Sequence, residues 1–199
     1  MKTITLLVLM AIPIISYSQT LDGFFGFRFG CSMDSVKKEM LIKPGCSLID
    51  KYSSENMLAF EGMKFAGRDA TYMIFGFINN KFHTGSVLIS PNLKSKIIEL
   101  YSDIQGELNE KYYKTTKVYE NYTSPYEKGD GYYETAIKLG KADFSSFWKF
   151  VNPKSNKEDQ KNSISLKITP TLNVSIKYQD GILIDEAVDK SKAKNFKDY

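Results

Sequence analysis

The sequence predicts an α+β fold, with antiparallel strands in meander order packed against one long and one short helix. Three patterns carry this expectation. Residues 90–112 repeat apolar side chains at helical spacing, residues 57–89 and 164–178 repeat them at strand spacing, and the two kinds of segment are grouped. Grouping of this kind lays helices on an antiparallel sheet instead of building parallel βαβ units. The segments fall into two similarly ordered halves, 22–90 and 91–181. That order suggests a duplicated helix-plus-meander unit, although no shared residue motif links the halves.

The chain opens with Met1, Lys2 and Thr3, and then an apolar run, 4–15, of the length of a signal-peptide core and too short for a membrane span. Ser16, Tyr17 and Ser18 put small residues at the two positions a signal peptidase reads, so cleavage is expected before Gln19. The first cysteine, Cys31, lies too far downstream to accept a lipid anchor. The expectation is an exported protein, periplasmic or extracellular, whose mature chain has no membrane span. Removing 18 of the 199 residues leaves 181, enough for one domain over 19–181 with its own core; 182–199 reads as a loosely held tail in which 184–190 could form a helical turn or two. One lysine leaves with the leader, so the formal net charge falls from +4 to +3. So mild a charge, with lysines scattered singly among acids at 37–39 and 157–159, argues against a nucleic-acid partner.

Element by element, Phe25, Phe27 and Phe29 alternate as one buried face of an opening strand. Ser32 is placed to cap a short helix in which Val36 and Met40 share a face. Strands follow at 57–65, 70–78 and 81–89. Asn79 and Asn80 join the last two as a two-residue turn, because Asn tolerates positive φ. A simple two-residue turn sets Phe77 opposite Phe82 and Phe75 opposite Thr84, with Tyr72, Ile74, Val87 and Ile89 on the other face. Strand 70–78 is apolar on both faces, as a central strand is. Ser90 as cap, Pro91 at the first turn, and Leu93, Ile97, Leu100, Ile104, Leu108 and Tyr112 on one stripe predict the long helix. Gly106 inside it implies close packing or a bend. Strands are expected again at 113–122, 132–139 and 143–151, and at 164–168 and 172–178 about a turn at Pro170.

Few chemistries find their residues. The glycines at 23, 26 and 30 fit neither a dinucleotide loop nor a P-loop. Cys31 and Cys46 invite a disulfide in an exported chain. However, a helix over 33–42 advances ~15 Å, and closure requires 43–45 to double straight back, so the bridge stays conditional. A thiolate nucleophile wants a histidine, and the sole one, His83, reads as a residue at the sheet margin. One histidine and two cysteines do not make an ordinary zinc site, and Asp130 lacks the alternating acids of a calcium loop, so no metal or cofactor is implied. The 23 acids leave one enzymatic alternative open, an exported hydrolase using a carboxylate pair.

Tyrosines crowd residues 112–133. Either they fill alternate strand positions, or a hairpin around Pro125 and Gly129 presents Tyr119, Tyr122, Tyr126 and Tyr132 to a protein, peptide or glycan. The second reading makes the chain a non-catalytic binding protein. Its opening, Phe24 to Ser32 followed by Val36 and Met40, resembles the Phe-Gly-x-Ser start of exported bacterial α+β proteins. More distantly it resembles the helix-plus-meander modules of small outer-membrane-assembly lipoproteins and of the β-lactamase-inhibitor protein. What that resemblance implies is a protein-contacting domain without catalysis.

Overall fold

A computed structural model describes residues 20–195 except 153, 156, 158 and 159; the expected leader at 1–18 lies outside the described residues, as do 196–199. In chain order the elements are β1 (Gly23–Phe24), β2 (Phe27–Arg28), α1 (Met33–Leu41), β3 (Ser47–Leu48), β4 (Met57–Glu61), β5 (Lys64–Phe65), β6 (Arg68–Asp69), β7 (Tyr72–Ile78) and β8 (Lys81–Ile89). The second half supplies α2 (Ile97–Lys111), β9 (Lys117–Tyr122), α3 (Tyr133–Lys138), β10 (Ala142–Phe150), β11 (Asn162–Ile168), β12 (Val174–Gln179) and α4 (Gly181–Asn195). Eight strands form one antiparallel sheet in the order β3-β4-β7-β8-β12-β11-β10-β9. The expected repetition is visible in that order. Two four-stranded meanders, each preceded by a helix, meet where their last strands, β8 and β12, pair from Ile89 with Val174 to Thr84 with Gln179.

Ser32 caps α1 as its position suggested, its hydroxyl accepting from the Ser35 amide at 3.3 Å, and Val36 and Met40 are buried. The opening aromatics depart from expectation. Phe25 (φ 53°) and Gly26 (φ 88°) form a two-residue turn between β1 and β2, so Phe24 and Phe27 are buried and Phe25 and Phe29 are partly exposed. Phe24 lies on Gly85, where an added Cβ would sit 2.2 Å from its ring.

Asn79 and Asn80 take the positive φ their turn needs, 49° and 59°. A bulge at His83 then shifts the register, so Phe77 still faces Phe82 but Phe75 faces Gly85 instead of Thr84. The single extra residue moves Val87 and Ile89 onto the face of Phe75, as period-two side chains require. Phe75 is thereby enclosed, with ring centroids of Phe24, Phe27, Phe60 and Phe82 within 5.4–5.8 Å.

The long helix begins later than expected. Residues 94–96 form a 3₁₀ turn, Leu93 is exposed, and Ser90 bonds Asn173 instead of capping. From Ile97 the expected stripe holds at Ile97, Ile104 and Leu108, which are buried on the sheet; Tyr101, outside that stripe, is buried with them, and Leu100 and Tyr112 are only partly buried. Gly106 faces open space, with nothing within 4 Å of an added Cβ, so it marks no close contact. Residues 133–138, expected as a strand, are the helix α3 with Ala136 and Ile137 buried. The expected tail carries α4, whose first turn is capped by the buried Asp180 carboxylate accepting from Leu183 N–H at 2.9 Å. Buried Asn162 ties this end together, donating to Leu21 C=O at 2.7 Å and accepting from Asn152 and from Gly181 N–H.

Cys31 and Cys46 are free, half-buried thiols. The nine residues of α1 carry the chain away from Cys31. The turn that follows, in which Cys46 N–H bonds Lys43 C=O at 3.2 Å, leads into β3 and not back to Cys31. Among the described residues no helix is long and apolar enough to cross a membrane.

Candidate functional site

Strand alternation gives the sheet two unlike faces. One carries Phe75, Val87, Ile176, Leu166 and Trp148, and it is covered by α1, α2, α3 and the β1–β2 hairpin. Along β9–β12 the opposite face carries Lys117, Lys149, Lys167 and Lys177, all exposed, separated by Ser145, Ser163, Ser165 and Ser175. Asp143 is the acidic residue of that face of β9–β12 and accepts from Ser145 Oγ at 3.1 Å. Cations that the linear sequence spaces far apart are thus collected by register.

Phe147 stands among them. The Tyr119 ring meets it edge-on at 5.8 Å, and the Lys167 ammonium lies 5.6 Å from its centroid. The ring is held edge-to-face on one side and by a cation on the other, both favourable geometries for an aromatic quadrupole. Thr116, Lys117, Tyr119, Phe147, Lys149 and Ser163 surround a shallow hollow of about 250 Å³. β9 closes the sheet as its edge strand, so the hollow lies beside an edge.

The four tyrosines singled out in the sequence do not share one surface. Tyr119 is on the open face and 39% exposed. Tyr122, three residues on, points to the packed face and meets Phe144 edge-on at 5.9 Å. Tyr126 is half-buried in the loop after β9, and Tyr132, 64% exposed, precedes α3. No strand pairs with β9 through this loop, so the aromatic hairpin is replaced by a loop and a helix. Sequence reading passed over Phe147 and the lysines. Their signal was present, because Ser165-Leu166-Lys167 and Ser175-Ile176-Lys177 repeat one polar-apolar-lysine pattern on neighbouring strands.

The other groups weighed in the sequence stand apart from this surface. Burial lifts the Cys31 thiol above its usual range, with Glu39 adding to the effect, and burial likewise lifts Cys46 against the pull of Lys43. Thiols so shifted carry little thiolate at neutral pH. His83 sits over Gly76 and bonds Thr84 Oγ1 at 2.8 Å. Burial lowers its pKa, partly offset by the Phe77 backbone and the Asp180 carboxylate. On the packed side a cavity of about 510 Å³ includes two carboxylates in its lining, Asp22 and Glu107. Both Glu107 oxygens accept from Arg68, at 2.8 and 2.5 Å. Among the described residues no group of three or more His, Cys, Asp or Glu is arranged to hold a metal ion.

Compared with protein-family models, curated proteins and solved structures, the chain finds no match.

Proposed function

We propose that this is an exported, non-catalytic binding protein that docks an acidic protein surface on the open face of β9–β12. The observation that carries the reading is the convergence of Lys117, Lys149, Lys167 and Lys177 around the Tyr119–Phe147 pair on one broad face. Aromatic rings with flanking cations suit a macromolecular contact, the ring supplying desolvated area and the lysines steering and orienting a negative partner. The reading keeps Tyr119 from the sequence-based expectation and replaces the other three tyrosines with Phe147 and the lysines.

The test uses poly-L-glutamate as the acidic polypeptide probe, titrated calorimetrically against the mature protein. Saturable binding is expected, weakened about tenfold by Lys149→Glu/Lys167→Glu and several-fold by Phe147→Ser, with Lys37→Glu/Lys38→Glu on α1 as the equal-charge control. Loss of binding in the α1 control, indifference to Phe147→Ser, or equal affinity for alginate or duplex DNA would overturn it.

A further inference from the structure

The eight-stranded sheet ends in two unlike edges. β3 is two residues long, whereas β9 runs for six, Lys117–Tyr122, in unbroken register with β10. Among the described residues β10 is the one strand paired with β9, and residues 117–121 are exposed, Val118 at 55% and Tyr119 at 39%. A long, regular edge with apolar side chains is a template for another strand, and edges kept single are usually short, bulged, or loaded with proline or charge. β9 has no bulge and no proline, and its Glu120 is paired with Lys128 at 2.9 Å. Just beyond the strand, Thr123 N–H bonds Lys141 C=O at 2.7 Å. The alternation of an antiparallel ladder therefore turns the N–H and C=O of Lys117, Tyr119 and Asn121 toward β10, and those of Val118 and Glu120 outward.

The residues of this edge select what fits it. Two copies of β9 pair antiparallel about a two-fold axis normal to the sheet, which sets residues of one face opposite each other and so centres on a single residue. An axis at Glu120 would oppose two like charges. An axis at Val118 would set Glu120 against Thr116, whose N–H is already given to Phe147 C=O at 2.7 Å. An axis at Tyr119 meets neither obstacle. Val118 then lies opposite the partner's Glu120, and because both present N–H and C=O outward, the pair exchanges backbone hydrogen bonds on each side of the axis. On the open face Tyr119 meets the partner's Tyr119. Lys117, which lines the hollow beside Phe147, lies opposite the partner's Asn121 and diagonal to the partner's Tyr119, within reach of its ring. On the other side of the sheet the two Val118 side chains lie diagonally across the axis. We infer that the chain forms a two-fold dimer through β9, joining two eight-stranded sheets edge to edge with Tyr119 at the axis. The dimer does not depend on the acidic-partner reading, and it continues the open face of one copy into that of the other.

Sedimentation equilibrium of the chain over residues 19–199 tests it. A monomer–dimer equilibrium is expected, with a Kd of roughly 1–100 μM. Val118→Pro removes an outward N–H that the monomer does not use, a change an edge strand accepts, and should weaken the dimer about tenfold or more while the folded circular-dichroism spectrum is kept. Register is read by cysteine linkage in a Cys31→Ser/Cys46→Ser background. The facing Tyr119 positions form a non-hydrogen-bonded pair with Cα atoms about 4.5 Å apart, within disulfide reach, so Tyr119→Cys should oxidise to a covalent dimer. Asn121→Cys should not, because an axis at Tyr119 carries position 121 away from its own copy. A chain still monomeric at ~1 mM, a dimer untouched by Val118→Pro, or linkage as ready at Asn121→Cys as at Tyr119→Cys would overturn the inference. Should Val118→Pro not fold, Tyr119→Lys takes its place by opposing two ammonium groups at the axis: loss of the dimer supports the inference and its retention overturns it.

Discussion

The two faces of the sheet are built from the same strands and differ in nearly everything that alternation can change. On β10, Phe144, Trp148 and Phe150 are buried under the helices, while between them Phe147 is partly exposed beside lysines. On β11 and β12 every apolar residue points one way and every Ser and Lys the other. A sheet covered on one side derives its stability there and leaves the other side available for contact. The difference teaches that the apolar core lies on the packed face, while Phe147 and the lysines stand outside it.

Substitutions in matched pairs test that separation. The largest effect is expected at Phe75, whose fully buried ring touches four others. Phe75→Ala should cost about 3–5 kcal/mol in urea unfolding, and Phe147→Ala, on the other face, about 1 kcal/mol or less. Two glycines in adjacent strands make the next pair. An alanine at Gly85 would meet the Phe24 ring at 2.2 Å and should cost about 1–3 kcal/mol, or more where the hairpin is displaced. At Gly76, on the opposite face, the nearest atoms are His83 and Thr84 at 3.5–3.6 Å, ordinary contact, and Gly76→Ala should be close to neutral. Equal costs at the two positions would contradict the assignment of faces.

Smaller effects sharpen the picture. Gly106 in α2 faces open space, so Gly106→Ala should raise stability by about 1 kcal/mol, readable as a higher urea midpoint with unchanged slope. His83 gives the smallest. Burial lowers its pKa in the folded state below the unfolded value of 6.5, so between the two values the unfolded chain binds more protons and stability rises with pH. Acidification through pH 6.5 should therefore destabilise the wild type slightly more than His83→Gln; the opposite sign would place the imidazole in a charge-stabilising environment.

Much of this was legible in the residues themselves. Asn79 and Asn80, the Ser32 cap, the Ile97–Leu108 stripe and the alternation of β11 and β12 each determine local structure through a single physical preference. The parts that were not legible depend on tertiary choices. A bulge at His83 reverses the facing of Val87 and Ile89, and nothing in the local pattern distinguishes 83 from its neighbours. Residues 132–139 mix tyrosines with Ala136 and Ile137, and burial of those two on the packed face favours helix where aromatic content favours strand. The lysine face was hidden for a similar reason. Lys117, Lys149, Lys167 and Lys177 become neighbours through pairing across four strands, which linear spacing does not report.

The central claim is that the open face of β9–β12 is the binding face. Amide chemical-shift mapping of the ¹⁵N-labelled chain over residues 19–199 during titration with poly-L-glutamate tests it most directly. The account predicts shifts concentrated at Lys117, Tyr119, Phe147, Lys149 and Lys167, with α1 and the strand positions of the packed face unmoved. Shifts centred on Lys37 and Lys38 of α1, or spread evenly over all exposed lysines, would contradict it.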